Sequence, residues 1–382
     1  MSQAFTLTLA AHIANETLPA AENFSIQQSP APALTQPGEV LLQALYFSAD
    51  PYMRSAMRSD RPNSKKVGEA ITGFISGKVL ASNNAAWSAG DLFGGSFPLS
   101  TLQVVSAEAL AKTVMWKLSG LCSEEELSLG VGLLGMPGAT AWGGLLKVLR
   151  PEAGQTVLVT AASGAVGQLV GQIAKLKGCT VIGTAGGPEK CALLTSKFGF
   201  SHAIDYKALG WEGKGREARV EALVGALREK APGGFDMVFE NVGGATFEAP
   251  FKCLRSGGRI AVCGGIEGYG SAVPPTVQIN VLDMIYTSQV RPLLPQSSKC
   301  QPSPPSPLSP PHNPPLQRIE GFVCSPWLFG STSPEFLKDM SAWFREGKLV
   351  HTETVFHGLQ SWPQAFASLF TGSNSGKVVV KL

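Results

Sequence analysis

"VLVTAASGAVGQLVGQIAKLKG" (residues 157–178) runs from an apolar strand through a turn of small residues into a helix whose apolar residues recur at helical spacing. The turn reads Ala162-Ser163-Gly164-Ala165-Val166-Gly167, a G-x-G-x-x-G fingerprint with alanine in place of its first glycine. Placement between a strand and a helix is what gives such glycines a function. They let the backbone approach a pyrophosphate, whose charge the helix N-terminus stabilises. Gly164, Ala165, Val166 and Gly167 are therefore the candidate pyrophosphate site. Tight packing of helix on sheet would explain glycine at 167 but hardly at 164.

Downstream, the strand–helix alternation continues. Strand "CTVIGTAG" is followed by helix "PEKCALLTSKFG", strand "HAIDY", a charged helix near 216–231, and strands "FDMVFENV" and "RIAVCGG". Strands alternating with helices of this length imply parallel pairing through right-handed crossovers, hence a doubly wound sheet. Upstream, residues 1 to about 130 read as β-rich, with strands such as "GEVLLQALYFS" and "FISGKVLAS" set between Gly, Asn, Ser and Pro clusters. The tail from about 334 reads as two helices and a closing strand, "KVVVKL", that returns to the first domain. The expected division is 1–130 completed by 341–382, and 131–340. One segment breaks the pattern: residues 291–316 hold ten of the chain's 27 prolines. Proline removes donors and fixes φ, so this stretch reads as a proline-rich insertion, a linker or loop, in a domain that folds around it.

Composition narrows the function. With 382 residues and 44% hydrophobic content the chain suffices for two domains, and a net charge of +3 gives no nucleic-acid footprint. No apolar stretch reaches the roughly 18 residues of a membrane span, and no basic n-region marks a secretory leader. The seven cysteines are scattered, odd in number and never in a C-x-x-C pair, which reads as reduced thiols rather than a disulfide framework or a zinc knuckle. No nucleic-acid, membrane or metal partner is expected.

An NAD site usually ends its second strand in Asp or Glu, which binds the ribose 2′-hydroxyl. Here that strand ends Gly183-Thr184-Ala185-Gly186-Gly187, without an acid, and Lys190 follows. A lysine at that place can pair with a 2′-phosphate, so NADPH is favoured over NADH.

Several stretches, in order along nearly the whole chain, resemble the medium-chain reductases of the prostaglandin reductase type, also called leukotriene B4 12-hydroxydehydrogenases or alkenal/one reductases. They are "SADPYMR" (48–54), "GLLGMPGATAWGGLL" (132–146), "AASGAVGQLVGQIAKLKGC" (161–179), "GGPEK" (186–190), "DYK" (205–207), "ENVGG" (240–244), "GGRIAVCGGIEGY" (257–269), "RIEGFV" (318–323) and "GSNSGKVVVKL" (372–382). The resemblance implies a GroES-like β-rich domain plus a Rossmann domain, with NADPH in the cleft between them. It implies the 2′-phosphate near Lys190 and Tyr206, Asn241 by the ribose and nicotinamide end, and Cys263, Gly264 and on to Tyr269 along the cofactor. It further implies Phe322, Val323 and Cys324 near the nicotinamide and Asn374 on the cofactor from the tail. Members are usually cytosolic and commonly dimeric, which implies a cytoplasmic homodimer.

Within that superfamily, the alcohol dehydrogenase branch needs a Cys/His/Cys-type zinc site. This chain has no cysteine before Cys122, and "ALYFSADPYMR" stands where the first ligand would be. Hydride chemistry is therefore expected without a metal Lewis acid. Such chemistry fits addition of hydride to the β-carbon of an α,β-unsaturated carbonyl, with protein donors stabilising the resulting enolate. A phenol, neutral at working pH with a reference pKa of about 10, is a suitable donor. Of five tyrosines, Tyr269 follows "RIAVCGG" at the carboxyl edge of the sheet, where open sheets bind ligands. The resemblance places Tyr269 beside the reacting carbonyl, Tyr52 of "DPYMR" facing it, and Tyr286 as a third candidate. Whether a tyrosine or water delivers the proton is left open by the sequence, as is the particular enone or enal substrate. Two alternatives stand beside the double-bond reductase: an NADPH quinone reductase, and an NADPH-binding scaffold without turnover that engages a partner through the proline-rich loop.

Overall fold

The computed structural model describes residues 3–211, 213–273, 276–280 and 317–382. Tyr286 and the proline-rich stretch 291–316 lie outside the described residues.

Short runs rich in Val, Ile, Leu and Phe make a six-stranded sheet ordered His202–Asp205, Thr180–Ala185, Thr156–Val159, Phe235–Glu240, Leu254–Val262 and Arg318–Gly321. Each neighbouring pair is parallel. Taken in chain order the arrangement is 3-2-1-4-5-6, so the winding direction reverses between the strands that begin at Thr156 and Phe235. Alternation on the pleat separates two layers. Val157 and Val159 join one core with Val170 and Ile173 of the helix Gly167–Leu176. Leu158 points the other way, into a core with Val220, Leu223, Val224 and Leu227 of the helix Arg216–Lys230. Those four positions follow i, i+3, i+4, i+7, the buried stripe that a highly charged helix needs in order to dock.

The first 120 residues build most of a second sheet. It runs Glu353–His357, Lys377–Lys381, Val40–Ser48, Thr72–Ser82, Leu92–Pro98 and Met115–Lys117, with Leu102–Val105 also on Val40–Ser48. Along Val40–Ser48 the alternation buries Val40, Leu42 and Ala44, which fits a sheet with one covered face. The closing strand Lys377–Lys381 pairs antiparallel with Val40–Ser48, so the tail does return to this sheet. It brings a strand absent from the sequence reading, Glu353–His357, which pairs with it in parallel at the sheet edge.

The junction of tail and first sheet holds a buried ion pair. Lys377 Nζ donates to Asp50 Oδ1 at 3.1 Å and to the carbonyls of Ala49 and Val378 at 2.9 Å each. Both side chains are nearly inaccessible, 3% and 4% exposed. Three N–H donors meet three acceptors, and Ser48 Oγ donates to the other carboxylate oxygen, Oδ2. Removing one partner of such a pair strands the other in a low dielectric. Lys377→Met is expected to lower the unfolding free energy by about 3–5 kcal/mol in denaturant titration. Adding Asp50→Leu to it should recover much of that loss; a Lys377→Met protein as stable as wild type would show that the pair holds nothing.

Candidate active site

Six of the loops singled out from the sequence meet at one edge. Gly164–Gly167 follows the strand ending at Val159, Gly186–Lys190 the one ending at Ala185, and Tyr206 the one ending at Asp205. Asn241 follows Glu240, Cys263–Tyr269 follows Val262, and Phe322–Cys324 follows Gly321. These are the carboxyl ends of parallel strands, where a doubly wound sheet opens a crevice. At the reversal point itself, Asn241 Nδ2 donates to the Thr160 carbonyl at 2.7 Å, and its amide donates to Thr160 Oγ1 at 2.8 Å.

The phosphate loop is shaped by its own backbone. Ala161 has φ +46°, and Gly164 N–H closes onto the Ala161 carbonyl at 3.0 Å. A Cβ at Gly167 would stand 2.5 Å from Ala161 O and 2.7 Å from Ala162 Cα, so packing forbids a side chain there. A Cβ on Gly164 would meet Ala161 O at 3.2 Å, and Gly376 of the tail bridges to this residue. Glycine at 164 thus leaves a cradle that a Cβ would partly fill, which fits a close-approaching phosphate. The alanine in the first fingerprint position fits because Gly183 lies opposite. A Cβ on Gly183 would come within 2.7 Å of Ala162 Cβ, so one methyl replaces two candidates for the same space. The tail reaches this loop too: Gly376 N–H donates to the Ser163 carbonyl at 2.8 Å.

Beyond the second strand lie Lys190, Tyr206 and a residue missed in the sequence, Lys207. The Tyr206 hydroxyl and the Lys207 chain lie over Gly186, where a Cβ would meet them at 2.7 Å and 3.0 Å. Asp205 is engaged with backbone, accepting from Gly187 N–H at 2.8 Å and Lys207 N–H at 3.0 Å. Lys190 Nζ donates to the Gly372 carbonyl at 2.7 Å. Burial first, and the nearby Lys207 second, pull the Lys190 ammonium below the usual lysine range. Among the described residues neither lysine forms an ion pair, although the Asp205 carboxylate lies in the same pocket, held by backbone amides. Two ammonium groups close enough to repel each other fit a phosphate. Lys207 stood within "DYK" (205–207), but the sequence reading gave it no role of its own. Asn374 lies half-buried between Gly372 and Gly376, the two tail residues that reach the loops.

At the other end, Tyr52 and Tyr269 line one cavity of about 780 Å³. Met53, Met57 and Ile71 give it apolar walls, while Arg61 and Lys65 stand among the polar residues lining it. Tyr52 keeps 42% of its surface accessible because it projects into that space. Both phenols are held above the usual tyrosine range. Crowding raises Tyr52, with the Asp50 carboxylate adding to it. Burial raises Tyr269 against a lowering backbone hydrogen bond from Gly265. The Tyr269 hydroxyl lies beside Gly264, where a Cβ would be 3.3 Å away. Phe322 turns its ring inward, 5.8 Å from the ring of Phe239, while Val323 is 69% exposed. Burial pushes the Cys263 thiol up to about 12 and also raises Cys324, so both remain neutral thiols. Glu240, fully buried, accepts from the Val242 and Gly243 amides at 2.7 Å each, and burial pushes its carboxyl up to about 7. It shapes the loop that carries Asn241. Among the described residues no group of three or more His, Cys, Asp or Glu side chains is placed to hold a metal ion.

The chain can now be set against known proteins. The family model described as zinc-binding dehydrogenase matches residues 165–290, and that described as N-terminal domain of oxidoreductase matches residues 6–113. Prostaglandin reductase 1 of Rattus norvegicus is 35% identical over 386 residues, with 100% of each chain covered. The NADP(+)-dependent 2-alkenal reductase of Nicotiana tabacum is 36% identical over 345 residues, covering 90% of this chain and 87% of the relative. Among solved structures, CurA of Vibrio vulnificus in complex with NADPH matches with a TM-score of 0.76 at 31% identity, covering 99% of this chain and 98% of that one. On these matches, which extend through both sheets, the chain belongs to the medium-chain dehydrogenase/reductases of the NADP-dependent alkenal/one reductase type.

Proposed function

We propose that this protein is an NADPH-dependent reductase of the carbon–carbon double bond of α,β-unsaturated ketones and aldehydes. In this reading residues 131–340 hold the cofactor, and residues 1–130 with 341–382 supply the other wall of the substrate site. The observation that carries it is the cavity shared by Tyr52 and Tyr269 at the sheet edge where the phosphate loop and the two lysines also lie. The names of the relatives, a prostaglandin reductase and a 2-alkenal reductase, support the same chemistry.

NADPH, when bound, supplies the hydride. Gly164–Gly167 would hold its pyrophosphate, Lys190, Lys207 and Tyr206 its 2′-phosphate, and Asn241, Cys263–Gly265, Phe322–Cys324 and Asn374 would line its path. The chain's own part is to fix the acceptor and stabilise charge. As the β-carbon accepts hydride, negative charge grows on the carbonyl oxygen. Tyr269 is the donor placed to stabilise it, and Tyr52 orients the same oxygen from the opposite wall. Both phenols stay protonated at working pH, so each has a proton to donate as a hydrogen bond.

Purified protein given a medium-chain enone should consume NADPH and be feeble with NADH. Tyr269→Phe should lower kcat on the enone by about 10²-fold, the cost of losing one oxyanion donor, while a quinone, which needs no such donor, is reduced nearly as before. Cofactor binding without turnover on either acceptor would overturn the reductase reading; turnover on the quinone alone would point to a quinone reductase. Separately, Lys190→Ala and Lys207→Ala should each raise the KM for NADPH about tenfold, as expected for one charged hydrogen bond, and leave the KM for NADH within about twofold. Equal effects on both cofactors would remove the 2′-phosphate from this pocket.

A further inference from the structure

Tyr269 stands at the end of a loop from the parallel sheet, yet the residues just after it are gripped by the first 60 residues of the chain. Glu16 N–H donates to the Gly270 carbonyl at 2.8 Å, and Glu16 Oε1 accepts from Ala272 N–H at 2.9 Å. Between these two bonds, Arg58 Nη1 donates to the Ser271 carbonyl at 2.7 Å. The Arg54 guanidinium lies flat on Gly270, where a Cβ would stand 2.8 Å from Nη2 and 2.9 Å from Cζ. Three consecutive residues, Gly270, Ser271 and Ala272, are thus held from the other side of the cleft.

The two arginines are costly to place. They are 2% and 1% exposed, and buried guanidinium groups need partners to be tolerated. Arg58 finds them in a two-point bond to Asp60, at 2.8 Å and 2.6 Å, besides the Ser271 carbonyl. Arg54 donates to the carbonyls of Thr17 and Ala14 and covers the Phe370 ring at 5.0 Å. Both belong to the same short segment as Tyr52: Arg54 lies within the helical turn Pro51–Met57, and Arg58 closes it. One rigid segment therefore presents Tyr52 to the cavity and two arginines to the backbone that follows Tyr269. The bonds to the parallel-sheet side, Ile266 N–H to the Asn241 carbonyl at 3.3 Å and Glu267 N–H to the Val242 carbonyl at 3.1 Å, reach residues before Tyr269. The loop's own bonds, Tyr269 N–H to the Ile266 carbonyl at 3.4 Å and Ser271 N–H to the Gly268 carbonyl at 3.3 Å, are its longer ones.

From this geometry we infer that Glu16, Arg54 and Arg58 form a latch that sets the separation of Tyr52 and Tyr269, and so act as positioning residues for the substrate carbonyl. The inference rests on the function proposed above. An oxyanion donor displaced by about 1 Å loses on the order of 10²-fold in rate, so a latch remote from the chemistry can control it. Glu16 is the residue to change, because it is exposed and its loss leaves the core intact.

Glu16→Ala, Glu16→Gln and wild type should be compared on the enone, each with and without Tyr269→Phe. Glu16→Ala is expected to lower kcat on the enone about tenfold while the KM for NADPH stays within about twofold. Glu16→Gln keeps an acceptor for the Ala272 amide and should restore kcat to within about threefold of wild type. In the Tyr269→Phe background, Glu16→Ala should add less than about twofold, since residues that act as one unit are not additive. An undiminished kcat in Glu16→Ala, or a full tenfold further loss in the Tyr269→Phe background, would overturn the latch. Arg58→Lys, tested the same way, gives a second reading from the opposite end of the latch, with the same two outcomes deciding against it. A wild-type protein inactive on enones would instead overturn the function on which the latch depends.

Discussion

The ammonium of Lys377 sits where water does not reach, and only Asp50 and two carbonyls make that tolerable. A lone buried charge costs several kcal/mol, so the chain around this pair has little freedom to move apart. Both halves of the site begin at it. Asp50 precedes the turn that carries Tyr52, and Lys377 follows directly on Gly376, which holds the Ser163 carbonyl of the phosphate loop. A path of bonds from Ser163 through Gly376, Lys377 and Asp50 to Tyr52 therefore ties the glycine loop at 162–167 to the wall of the cavity. The same carboxylate that pairs with Lys377 also raises the Tyr52 phenol, so one charge serves both packing and donor chemistry.

Electrostatics sort the two ends of the cleft. At one end positive charge is uncompensated: Lys190 and Lys207 repel each other, and the nearest acid, Asp205, is engaged with backbone amides. At the other end the two phenols and the thiols of Cys263 and Cys324 are held above their usual ranges, while Arg61 and Lys65 stand in the cavity wall. A phosphate matches the first environment. A carbonyl that gains charge only as it reacts matches the second, because protonated phenols can donate to the oxygen as the charge appears. Family membership and this division of charge point to the same chemistry from independent directions.

The parallel sheet was legible because its signals are local: a small-residue turn between strand and helix, and apolar periodicity that changes from two to 3.6. The phosphate loop and Tyr269 could be picked out for the same reason, each standing just after a recognisable strand. What escaped depends on distant partners. Glu353–His357 is half-exposed and, among the described residues, pairs with one neighbour, so it carries no clear burial pattern. Lys207 looks solvated until Gly186 and Tyr206 are seen beside it. Arg54 and Arg58 have the composition of a surface turn but are buried under a loop more than 200 residues away in sequence. Nothing within a window of neighbouring residues announces such contacts.

Delivery of hydride to the β-carbon, with the carbonyl oxygen held by phenols, is the proposed chemistry. It is tested most directly by supplying NADPH dideuterated at C4 of the nicotinamide with an enone and locating the label in the product. One deuterium at the β-carbon, with solvent hydrogen at the α-carbon, is the expected result. Deuterium on the former carbonyl carbon, in an allylic alcohol, would contradict double-bond reduction and assign the two tyrosines to a different reaction.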